Sequence, residues 1–172
     1  MKGGKLHRWI HLQHGLLIVL IAWLYVTSPW VHLYNRIPPS PSFWVWSHLV
    51  LGMIALVLTV TFTVTCLAQG RLRQFFPWAF GRFRLLFSDL AGLVRLRIPS
   101  NEAGGLFDVI KGLLLLALLV TAVTGGMWWW TEGSRDAIAW RGWHLDAARY
   151  LMIFLILHIL ATIAHLIDFM RQ

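Results

Sequence analysis

Eight histidines stand in a chain of 172 residues that is 58% hydrophobic and only 13% charged. In so apolar a setting imidazole is the side chain to explain. Buried and neutral, it offers one ring nitrogen as a lone-pair donor, while its N–H requires an acceptor. Four of the eight, His14, His48, His144 and His158, fall in long apolar runs. Any one alone could be a hydrogen-bonded core residue or a contact between helices. The spacing of the set argues for ligand chemistry. On a helix, the interval from His144 to His158 is about 40° short of four turns and about 21 Å of rise, so both face one way at two depths.

The elements that must position these residues follow from composition. So high an apolar fraction, with a mean hydropathy of +0.66, excludes a soluble enzyme. Apolar runs bounded by charges or prolines predict four membrane-crossing helices at about 14–34, 44–68, 105–130 and 144–167. The expected fold is an all-α integral membrane four-helix bundle forming a single domain over 1–172. The basic head with Lys2, Lys5 and Arg8 has no small-residue cleavage pattern after it, so the first run reads as a retained span. The lone Cys66 excludes an internal disulfide and a cysteine-ligated iron–sulfur cluster.

Orientation comes from Lys and Arg outside the spans. Lys2, Lys5, Arg8, Arg71, Arg73, Arg82, Arg84, Arg95, Arg97 and Arg171 lie in the head, the long 69–104 connection and the tail, against Arg36, Arg135 and Arg141 in the other two connections. Ten against three places both termini in the cytoplasm. The net charge of +8 is on this reading mostly an orientation signal. Trp30, Trp44, Trp46, Trp128, Trp129, Trp130, Trp140 and Trp143 read as an outer interfacial belt. The segment RLRQFFPWAFGRFRLLFSDLAGLVRLR alternates arginines with Phe, Leu and Trp, which predicts an amphipathic cytoplasmic loop helix lying on anionic lipid and not a nucleic-acid surface.

With that topology the histidines pair by depth. His48 and His144 meet at the outer level and His14 and His158 at the inner one. Two imidazoles on facing helices can clamp an iron porphyrin from both sides, with carbonyls or water taking the remaining N–H groups. Two haem b groups are therefore expected. Gly52, one turn beyond His48, and Gly15, beside His14, leave room for a flat macrocycle, while the third span, with Gly105, Gly112, Gly125 and Gly126 but no histidine, would wall the site. Zinc and copper need three or four converging ligands, which the 21 Å separation denies. Arg36, Arg141 and Arg149 outside, with Arg8 and Lys111 inside, are candidates for haem-propionate contacts. His11 rivals His14 as inner ligand, since His7, His11 and His14 share one face. His165, two turns past His158, could hydrogen-bond a quinone carbonyl, and His32 reads as interfacial.

The stretches HGLLIVLIAW, SHLVLG and WHLDAARYLMIFLILHILATIAH together resemble the bacterial membrane-bound di-haem cytochrome b561 family. That family includes the b-type cytochrome subunit of nickel–iron hydrogenase and, more distantly, the formate dehydrogenase gamma subunit. FRLLFSDLAGLVRLRIPS, GGLFDVIKGL and the TGG ending the third span look closer to those subunits than to stand-alone cytochromes. The resemblance implies the same ligand pairs, His14 with His158 and His48 with His144. It also implies electron transfer between a redox partner protein or dehydrogenase complex and the quinone pool of the bacterial inner membrane. No catalytic residue is assigned to the chain. The alternatives are a stand-alone membrane oxidoreductase, passing electrons from superoxide or another small donor to quinone, and a non-redox membrane anchor. The chain's shortness favours a partner.

Overall fold

The computed structural model describes residues 2–81, 83–95 and 104–171, without the side chains of 2–5, 168 and 171. Arg82 and Arg97 of the basic count, and 96–100 of the loop motif, lie outside the described residues. The elements are α1 (Lys2–Thr27), a 3-10 turn (Ser28–Trp30), α2 (Phe43–Ala68), α3 (Leu72–Phe75), a second 3-10 turn (Pro77–Phe80), α4 (Arg84–Val94), α5 (Leu106–Trp130) and α6 (Asp136–Arg171). Among the described residues there is no strand. Four stretches, Leu6–Trp30, Phe43–Ala68, Leu106–Trp130 and Asp136–Ile167, are long and apolar enough to cross a bilayer. The chain is an all-α membrane protein with four crossing-length helices.

The ends of these helices have local causes. Pro29 lacks an N–H and restricts the residue before it, so α1 tightens into a 3-10 turn after Thr27. Ser42 starts α2 as its cap, its Oγ accepting from the Val45 N–H at 3.4 Å. The end of α2 is a Schellman motif: Gly70 takes φ +71°, its N–H bonds Leu67 O at 2.9 Å, and the Arg71 N–H bonds Cys66 O at 3.2 Å. Two helices start earlier than hydropathy places them. α1 begins twelve residues before His14 and α6 eight before His144, because polar and basic residues continue a helix beyond the hydrocarbon.

The chain forms two compact units. The first comprises Met1–Thr65 with Leu118–Ala148. Its core gathers Val45, Leu49, Trp128 and Ala137, with Val31, Leu33, Ile37, Trp129 and Trp140 packed against them. The loop between α1 and α2 is held through its backbone. Trp128 Nε1 donates to Tyr34 O at 2.9 Å, Arg141 Nε to Leu33 O at 2.6 Å and the Gly133 N–H to Asn35 O at 2.7 Å, while the Ile37 N–H donates to Glu132 Oε1 at 2.9 Å. Trp128 is thus no belt residue. It is 5% exposed, and its indole N–H is satisfied by the loop instead of by the headgroup region.

The second unit comprises Cys66–Ala117 with Arg149–Gln172. Here the expected loop helix is three pieces, broken by Pro77 and by Gly81 at φ +69°. Along α4, Phe83, Phe87, Leu90 and Val94 make an exposed apolar stripe, with Val94 86% exposed. Asp89, about 130° round from that stripe, is buried, and its Oδ2 accepts the Leu106 N–H at 2.8 Å, capping α5. Buried Asp108 accepts from Gln74 Nε2 at 2.8 Å and the Gly104 N–H at 2.9 Å, and pairs with Lys111 Nζ at 3.0 Å.

Candidate functional site

The first unit brings two of the four candidate ligands together. His48, on the second turn of α2, and His144, on the third turn of α6, have ring centres 6.4 Å apart and planes at 88°. With metal–nitrogen bonds of about 2 Å, two imidazoles on opposite sides of one iron have centres roughly 6 Å apart, so this spacing fits a shared metal.

His144 is also prepared electronically. Its Nδ1 lies 2.9 Å from Thr121 O. A carbonyl can only accept, so the geometry assigns the proton to Nδ1 and leaves the Nε2 lone pair for a ligand bond. Gly125 makes the seat: a Cβ there would stand 3.1 Å from both Cε1 and Nδ1 of His144. His48 Nδ1 is buried with no hydrogen-bond partner among the described residues. A Cβ on Gly52, one turn after His48, would meet nothing within 4 Å. Open space, an orphaned nitrogen and an oriented imidazole are what a flat, doubly ligated macrocycle would use.

The other candidates of this unit lie apart in character. His14 is exposed and stacks on Phe62, with centres 6.2 Å apart and planes at 20°. Beside it Gln13 is fully buried and donates through Nε2 to Thr61 Oγ1 at 2.7 Å. Gln13 Oε1 and the hydroxyl of fully buried Thr59 have no partner among the described residues. His11 is exposed, with its Nε2 3.0 Å from His7 Nε2. Arg141 is engaged by the Leu33 carbonyl and lies 5.9 Å from the Tyr34 ring centre. Arg36 is exposed near Gly133, Arg8 is exposed on α1, and His32 is exposed in the loop.

In the second unit the candidates converge on a residue that sequence reasoning missed. His158 stacks on Phe107 with centres 5.7 Å apart and planes at 6°, and His165 approaches the same ring at 4.9 Å. Lys111 Nζ lies 4.0 Å from that ring's centre while paired with Asp108. Lys111 is thereby already matched by a carboxylate. Arg149 is exposed on α6. His14 belongs to the first unit and His158 to the second.

Phe107, Gln13 and Thr59 carried no sequence signal, because each acquires its role from the rotation of its helix. The TGG at 124–126 was a partial signal for the His144 seat. Among the described residues no three His, Cys, Asp or Glu side chains converge on a metal-sized point.

No curated protein and no solved structure matches the chain. A family model described as prokaryotic cytochrome b561 matches residues 5–168, nearly its whole length. Together with the four crossing helices and a histidine pair spaced for one iron, that match identifies a membrane-embedded b-type cytochrome of electron transfer: the chain belongs to the prokaryotic cytochrome b561 family.

Proposed function

We propose that the chain is a di-haem cytochrome carrying electrons across the bacterial inner membrane between a partner redox protein and the quinone pool. The observation that carries this reading is the His48 and His144 pair, 6.4 Å between centres, with His144 held in the ligating tautomer by Thr121. These two hold the outer haem. For the inner haem the sequence spacing nominates His14 and His158. His165, beside Phe107 near the end of α6, is the proposed quinone hydrogen-bond donor. Bound haem supplies one-electron chemistry. The chain ligates it, orients the imidazoles and keeps water out with apolar spans. The exposed stripe of α4, flanked by Arg84 and Arg95, rests on anionic lipid.

A pyridine haemochrome assay on the purified chain should give about two b-type haems per polypeptide, reducible by a quinol. A ratio near one, or haems that quinol leaves oxidised, would sink the proposal. Co-purification in mild detergent should recover a redox partner. A chain that isolates alone and reduces quinone from a small donor would be an enzyme in its own right.

The Gly125 seat gives a finer prediction. Alanine at 125 pushes the His144 ring by a few tenths of an ångström and lengthens its bond to Thr121 O. A weaker acceptor bond makes the imidazole a poorer donor to ferric iron, so the potential of one haem should rise while the other stays put. Redox titration of the Gly125→Ala variant reads this directly, and two unmoved midpoints would refute it.

A further inference from the structure

We infer that His7 and His11 form a second, separate metal site, one that binds a divalent transition-metal ion of the zinc or nickel type at the exposed head of α1. The two residues are four apart on one helix face, and their Nε2 atoms stand 3.0 Å from each other. With metal–nitrogen bonds of about 2.1 Å, neighbouring positions in a tetrahedral or octahedral shell are about 3.0–3.4 Å apart. The two nitrogens are therefore already at chelating distance, and they are the atoms a helical His-x-x-x-His pair presents to zinc.

Exposure favours the site in one respect and sets its composition in another. A site inside the apolar spans needs three or four protein ligands, but both of these imidazoles are open to solvent, so water completes the shell where, among the described residues, no third protein ligand converges. The rings meet edge to face, with centres 4.3 Å apart, which keeps both nitrogens in reach of one ion. Imidazole is a strong donor for Zn²⁺, Ni²⁺ and Cu²⁺. Without metal, one Nε2–H donates to the other Nε2. Metal binding places the proton of each neutral ring on Nδ1, the exchange running through water, with no net proton or electron lost. An exposed hydrogen bond is a weak competitor for the ion. Arg8 projects about 80° around the helix from the shared edge, where solvent screens its charge.

The site does not rest on the haem assignment, and it uses the residue that rivals His14 as haem ligand. The test is calorimetric titration of the tag-free haem-loaded chain in detergent with Zn²⁺ and with Ni²⁺, alongside His7→Ala and His11→Ala. The intact chain should take up one ion, and either variant should bind it roughly tenfold or more weakly, because a chelate becomes a single contact. The visible spectrum should be unchanged in both. Variants that bind as tightly as the parent would overturn the site. So would a His11→Ala protein that has lost haem, since His11 would then be an iron ligand and not half of this pair.

Discussion

Replacing His144 with alanine is expected to halve the haem content of the purified protein, leaving about one haem per chain. The substitution removes the proposed ligand, whose Nε2 lone pair is aimed by the 2.9 Å contact of Nδ1 with Thr121 O. His48 remains, but a single imidazole cannot hold a low-spin six-coordinate iron. The loss should appear as disappearance of one of two low-spin signals in electron paramagnetic resonance, not as a general fading. His48→Ala should give the same spectrum, and the double variant should lose no more than either single one. His32→Ala, altering an exposed loop residue, should keep both haems. The protein should still fold, because Thr121 O keeps the Thr124 hydroxyl as a donor at 3.0 Å, the lost bond costs about 1 kcal/mol, and Gly125 simply faces a vacated seat. Retention of both haems in His144→Ala would refute the proposed outer site.

The largest stability effect should come from Gly112→Ala in the second unit. A Cβ at that position would run into Phe75 O and stand 3.0 Å from Phe75 C and 3.1 Å from Phe75 Cβ. The obstacle is mostly backbone, so no rotamer change relieves it. Either the end of α3 moves off α5 or the helix distorts. Moving α3 also strains the 2.8 Å bond from Gln74 to Asp108. Overpacking and that bond together put the cost at about 2–4 kcal/mol. Thermal unfolding in detergent should show a melting temperature lowered by several degrees, and limited proteolysis should cut faster between α2 and α4. Gly52→Ala, with nothing within 4 Å of the added carbon, is the control in the chain stripped of haem. Equal melting temperatures for the two variants would refute the close approach.

How far sequence reaches into this molecule depends on what each feature reports. Hydropathy measures solvent, so the four crossings were plain, while the extra turns at the start of α1 and α6 were hidden in polar residues that are helical outside the hydrocarbon. His48 and His144 could be matched because depth follows from counting residues along helices. The carbonyl of Thr121 could not be anticipated, since every residue has one and only helix rotation selects it. Asp89 lies in the segment whose pattern predicts an amphipathic loop helix. Its burial as the cap of α5 depends on a tertiary approach that pattern does not encode. Trp128 looked like its neighbours Trp129 and Trp130, and only the position of the loop carbonyl at Tyr34 sets it apart.

That loop has a consequence for biogenesis. The carbonyls of Leu33, Tyr34 and Asn35 accept from Arg141, Trp128 and Gly133, groups synthesised roughly a hundred residues later. While the first helical hairpin waits in the bilayer, those carbonyls have only water. The hairpin is therefore inserted before its connection acquires a shape, and the connection between α5 and α6, made later, locks the one between α1 and α2.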